Sequence, residues 1–125
     1  MMELTINGQV YQFNFGMGFL REANKTAVET TGTGVKRNSG AQYMIAGIFD
    51  GNPEDLVNLL DLANKGESPR VTRALLDSYI DDPDTDVDQL FEDTLDFLGK
   101  ANATKKIVGM IRQRIEEAKA KQDQN

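Results

Sequence analysis

Asn7-Gly8 stands between two alternating runs, Leu4-Thr5-Ile6 and Gln9-Val10-Tyr11-Gln12-Phe13, and this dipeptide constrains the fold more than any other feature of the chain. A two-residue type I′ turn needs positive φ at both central positions, which asparagine and glycine tolerate best. Such a turn pairs Ile6 with Gln9, Leu4 with Tyr11 and Met2 with Phe13, placing most of the apolar residues on one face. A lone hairpin is marginal in water. The hairpin over residues 2–14 must therefore pack on helices or on a neighbouring chain.

Helical spacing follows it. Phe15, Phe19 and Ala23 recur at four-residue steps and predict a short helix over 16–25. Thr30 to Gly40 has turn composition without periodicity, so a mobile loop is expected over 30–40. Gln42 to Asp50 reads as a helix closed by Gly51. Asn52-Pro53-Glu54-Asp55 supplies a cap, a proline at the first helical position and first-turn acids. Leu56, Leu59, Leu60 and Ala63 are that helix's apolar stripe, and Lys65-Gly66 ends it. Thr72 caps a further helix with Val71 placed to staple onto Leu76, and Pro83 stops it. Val87, Leu90, Phe91, Thr94, Leu95 and Leu98 make the next face, ending near Gly99. Asn102 or Thr104 then caps a last helix whose stripe is Ile107, Met110, Ile111, Ile115 and Ala118, opposite Lys105, Lys106, Arg112 and Lys119. The end, 121–125, is expected to fray. The fold class is α+β, mostly α: an N-terminal β-hairpin packed on a bundle of about six helices, with the helical part over 41–120 and one domain over 1–125.

The size suits that reading, because 125 residues fit one domain, and surface scaling gives a compact chain of this mass roughly 6,700 Å² of accessible area. The chain has no cysteine and no histidine. Disulfides, thiolate zinc sites, cysteine nucleophiles, the commonest general base and the commonest transition-metal ligand are thereby excluded. The expectation is a protein that is not an enzyme and needs no cofactor and no metal. No apolar run approaches the ~18 residues of a membrane span, and Met1-Met2-Glu3-Leu4-Thr5 lacks the basic and apolar regions of a secretory signal.

Three motifs invite chemistry and have plainer readings. In Asp82-Pro83-Asp84-Thr85-Asp86-Val87-Asp88 the acids alternate as in a calcium loop, but valine stands where the sharp turn needs glycine and the closing glutamate is missing. Helix capping explains these acids better. Gly32-Thr33-Gly34-Val35-Lys36 fails the spacing of a phosphate loop. Asn24-Lys25-Thr26 and Asn102-Ala103-Thr104 match the glycosylation triplet and read as caps or chance.

Charge is segregated along the chain. Residues 1–52 are neutral, 53–99 carry thirteen acids against three bases, and 100–125 carry seven bases against three acids, for nets of 0, −10 and +4. Pairing within the chain, a solvated face, or attraction between copies would each account for this. The basic helix lacks aromatic stacking residues and the chain is net acidic, so nucleic acid is not expected as a partner. Lys105, Lys106, Ile107, Ile111, Arg112 and Ile115 are the candidate partner-binding residues, with the isoleucines equally suited to the protein's own core, and self-association is expected.

Ile6-Asn7-Gly8, Tyr11, Phe13, Phe15-Gly16, Phe19-Leu20 and Asn24-Lys25, with Asp96-Phe97-Leu98 and Ala101-Asn102-Ala103-Thr104-Lys105-Lys106, carry a family likeness. The chain resembles the tail assembly chaperones of long-tailed phages of Gram-positive bacteria. The resemblance is densest over 3–25 and 79–111 and weakest through the glycine-rich loop. It implies a non-enzymatic protein that coats the tape measure protein in the host cytoplasm, keeps it soluble, helps recruit the major tail protein and is absent from the finished virion. It also implies a longer form made by programmed frameshifting, of which this chain is the short form. A head–tail joining or tail-terminator protein and a small acidic interaction adaptor are the competing expectations.

Overall fold

The computed structural model describes residues 1–123. The N-terminal hairpin pairs β1 (Met2–Ile6) with β2 (Gln9–Phe13) in the register that Asn7-Gly8 predicts, Met2 opposite Phe13, Leu4 opposite Tyr11 and Ile6 opposite Gln9. Asn7 has φ 52° and Gly8 φ 78°, the two positive values that a type I′ turn requires. Met2, Ile6 and Phe13 are buried on the inner face, and β2 lies against α3 (Pro53–Asn64).

Six helices follow among the described residues: α1 (Met17–Asn24), α2 (Gly40–Phe49), α3, α4 (Arg73–Asp81), α5 (Val87–Lys100) and α6 (Lys105–Asp123). The fold is thus mostly helical, with the hairpin packed against the bundle. Apolar α2 is central. It buries Ala41, Met44, Ile45 and Ile48 and packs against α1, α3, α5 and α6. Two glycines let its neighbours approach: a Cβ on Gly40 would strike the Ala23 carbonyl and the Thr26 hydroxyl, and one on Gly47 would strike the Asp55 carboxylate.

The expected caps form at three helix starts. Asn52 accepts from the backbone N–H groups of Glu54 (2.9 Å) and Asp55 (3.2 Å), Thr72 from that of Leu75 (3.1 Å) and Asp86 from that of Gln89 (3.0 Å). Thr104 behaves differently from the expected cap. Its carbonyl accepts the first bond of α6, from Val108 N–H, while its buried hydroxyl turns inward and donates to the Leu98 carbonyl at 2.6 Å.

Two regions depart from the sequence reading. Residues 30–40 do not run as a featureless loop: β3 (Val28–Thr30) and β4 (Lys36–Asn38) form a second antiparallel hairpin, with Glu29 opposite Arg37. Three-residue strands of mostly exposed polar residues show no alternation of hydrophobicity to read. In α6, Val108 is the buried residue, Met110 and Ala118 are exposed, and Ile107, Ile111 and Ile115 are half-buried. The helix continues to Asp123; residues 124–125 of the expected frayed end lie outside the described residues.

One side chain ties the hairpin to the helices. Asn64, fully buried at the end of α3, donates through Nδ2 to the carbonyls of Gln12 (2.9 Å) and Pro69 (3.2 Å). Its Oδ1 accepts from Val71 N–H (2.6 Å) and from Arg70 Nη1 (3.1 Å). Beside it, Asn14 N–H donates to the Ala63 carbonyl at 2.8 Å.

Two stability outcomes follow. Gly8→Val is expected to cost ~1 kcal/mol or more, because a β-branched residue is strained at positive φ; an unchanged thermal midpoint contradicts it. Asn64→Ala strands buried donors and acceptors, each costing ~1–3 kcal/mol, so a loss of about 3 kcal/mol or more is expected in urea unfolding. A loss below about 1 kcal/mol there refutes the anchoring role.

Candidate functional site

The partner-binding residues read from sequence lie on one helix but not on one face. Ile107, Ile111 and Ile115 turn toward the body with buried Val108 between them in sequence, and α6 packs there on α5 and α2. Lys105, Lys106 and Arg112 are exposed. The Arg112 guanidinium lies over the Phe49 ring of α2, 5.8 Å from its centroid, a cation–π contact that holds this edge of α6 on the body. The steps of α6 put Lys106 on the side away from the isoleucines.

The structure bears on one reading of the charge asymmetry, pairing within the chain. Ion pairs among the described residues join Glu22 to Lys25 and Lys65, Asp61 to Arg70 and Arg73, and Asp96 to Lys100. None uses a cation of α6, and none uses an acid between Asp77 and Asp93. The basic helix and the acidic middle therefore do not neutralise each other within the chain. Asp82 and Asp86 instead accept backbone N–H bonds from Asp84 (2.9 Å) and Gln89 (3.0 Å). No group of three or more carboxylates is placed to hold a metal among the described residues.

One cleft was missed in the sequence. It measures about 520 Å³ and opens between the hairpin's base, the turn into α1 and the end of α5. Met2, Phe13 and Phe15 form its inner wall; Met1, Met17 and Phe97 stand at its mouth, 64%, 51% and 36% exposed. Methionine is flexible and polarizable, suited to surfaces that accept varied apolar shapes. The signal was present in α5, where Phe97 falls outside the buried Leu90–Thr94–Leu98 face. A smaller cleft of about 190 Å³ lies between α2 and α6, lined by Tyr43, Ile107, Met110 and Ile111.

The larger cleft is walled mainly by apolar side chains with Lys100 as the one cation lining it, and the chain has neither cysteine nor histidine. The family model "Phage tail assembly chaperone protein, TAC" matches residues 3–113. The chain belongs to the phage tail assembly chaperone family. Neither the curated proteins nor the solved structures contain a match to it. Membership of this non-catalytic family agrees with the absence of cysteine from the chain and of a metal-holding cluster among the described residues. Both the Met-lined cleft and the basic helix of this tail assembly chaperone fall within or overlap the matched span.

The carboxyl group of Asp55 titrates above its ordinary value. Asp55, in the first turn of α3, lies against Gly47 and has no cationic partner among the described residues. Burial, then the charges of Glu54 and Asp50, push its pKa up. A raised folded pKa means that the fold favours the acid form; that stabilisation is complete below the unfolded pKa and is lost as pH rises through the folded one. Asp55→Asn, which stays neutral, is expected to melt above the wild type at pH 7, the gap closing below about pH 4. Parallel melting curves across that range refute it.

Proposed function

We propose that the chain coats the tape measure protein of a long-tailed phage of Gram-positive bacteria, keeps it soluble in the host cytoplasm and helps bring the major tail protein to it. The family match over residues 3–113 carries this reading. On the same reading the chaperone leaves before the virion is complete, and a longer frameshifted form shares its N-terminal sequence. The chemistry of the surface supports it. An elongated apolar client needs a partner that exposes apolar side chains without precipitating, and here a Met- and Phe-lined cleft sits on a protein of net charge −6.

The experiment is co-expression with the tape measure protein. The wild type is expected to move that protein from the pellet to the soluble fraction, and Met17→Ser with Phe97→Ser to lose most of this effect while melting normally. A tape measure protein equally insoluble with and without the wild type overturns the reading. Mass spectrometry of purified virions is expected to find no copy of the chain; stoichiometric copies would mark a joining or terminator protein instead.

A further inference from the structure

The two outer edges of the N-terminal hairpin are not alike. In an antiparallel pair closed by a two-residue turn, the residues flanking the turn bond to each other, and every second pair after them does the same. Ile6, Leu4 and Met2 therefore direct their main-chain groups at β2, while those of Thr5 and Glu3 on β1, and of Val10 and Gln12 on β2, point away from the hairpin. The β2 edge is occupied. Asn64 Nδ2 donates to the Gln12 carbonyl at 2.9 Å, Gln9 Nε2 to the Val10 carbonyl at 3.2 Å, and Asn14 N–H, just beyond the strand, to the Ala63 carbonyl at 2.8 Å.

The β1 edge is open. Thr5 and Glu3 are exposed, β2 is the strand's one sheet neighbour, and neither residue has a main-chain partner beyond it among the described residues. Edges that must stay unpaired are commonly blunted by lysine, proline or a bulge. Met2–Ile6 has no lysine or proline, and its ladder runs without a bulge through all five pairs. Its one charge, Glu3, has no ion-pair partner among the described residues. A strand added to this edge would place every second side chain on the face where Met2 and Ile6 are buried. Where it ran past Met2 it would come alongside Met1, and both methionines line the cleft of about 520 Å³.

We propose that the outer edge of β1 takes an extended segment of the client as a third strand. Main-chain bonds to Glu3 and Thr5 hold the segment, and its alternate apolar residues follow the face of Met2 into the Met- and Phe-lined cleft. A lysine or arginine on its other face meets Glu3. A helical segment fits less well, because its main-chain groups are already bonded within the helix. Since the bonds are main-chain, the site reads extension and alternation rather than one sequence. The proposal rests on the client reading for the chain to which the segment belongs, but its test uses a designed peptide and no tape measure protein, so the two fail separately.

The test is titration of the purified full chain with a fluorescent decapeptide that alternates valine with threonine, with arginine at a central threonine position and lysine at both ends. One peptide is expected to bind per chain, and amide exchange followed by NMR is expected to slow at Glu3 and Thr5. Two further peptides, N-methylated at every valine or at every threonine and arginine, separate strand pairing from simple apolar capture. Only alternate amides of an added strand face β1, so one set is expected to lose binding at least tenfold and the other to keep it within about twofold. Thr5→Pro removes an outward N–H and no bond to β2, and is expected to lose binding at least tenfold while melting near the wild type. Should that variant misfold by circular dichroism, Glu3→Lys is expected to weaken the arginine peptide several-fold and to regain binding when glutamate replaces that arginine. Absence of binding, equal loss in both methylated sets, or unchanged exchange at Glu3 and Thr5 overturns the proposal. So does self-association that Thr5→Pro abolishes without any peptide binding, which assigns the edge to a second copy.

Discussion

The amide of Asn64 is the interaction on which the arrangement of the rest depends. A two-stranded hairpin does not hold itself up in water, and apolar contact alone lets a flat face slide over a helix. Four directional bonds from a side chain with no exposed surface remove that freedom. They fix β2 to the end of α3 and bind the following segment, through Pro69 and Val71, to the same point. The entry to α4 is thereby set. Every donor and acceptor of the amide is used, which is the condition under which a buried polar group adds specificity.

Much of this was legible in the sequence wherever the determinant is local. A turn dipeptide predicted the hairpin register, and single residues ahead of apolar stripes predicted the starts of α3 and α4, while the acids over 82–88 were read together as capping. Asn64 was not legible because its partner Gln12 is 52 positions away, and an asparagine near a helix end reads as a cap. Thr104 was misread for the same reason: its hydroxyl answers to Leu98 across a bend rather than to the helix it precedes. The second hairpin escaped because its strands are too short and too polar to show a period. Of the candidate site, the cations of α6 were visible as a charge imbalance, while the Met-lined cleft assembles from three separated stretches that no spacing connects.

The distribution of charge gains its meaning from what the fold keeps apart. A chain with nets of −10 and +4 in adjoining segments has an easy route to neutrality by folding one onto the other. Here α6 is laid on α5 and α2 through its isoleucine side and Val108, which leaves its cations facing outward. Of the acids in the α4–α5 region, Asp86 holds the start of α5 and Asp82 closes the turn before it. Stability and surface character are thus carried by different atoms of the same residues' neighbourhoods, and charge can vary on the surface without disturbing the core.

The closeness of α2 to its neighbours bears on how such a protein can accommodate a client. Where Gly40 meets the Ala23 carbonyl and Gly47 meets Asp55, backbone and side chain touch with no room for a single added carbon. Helices seated this tightly cannot separate or slide to admit a guest without losing those contacts. Whatever plasticity the surface has must then reside in side-chain rotamers, and the unbranched methionines at the rim of the cleft are the residues best able to supply it. The molecule is built as a stiff frame with a pliant edge, so the shape of that apolar edge is set by a few side chains, open to adjustment one residue at a time.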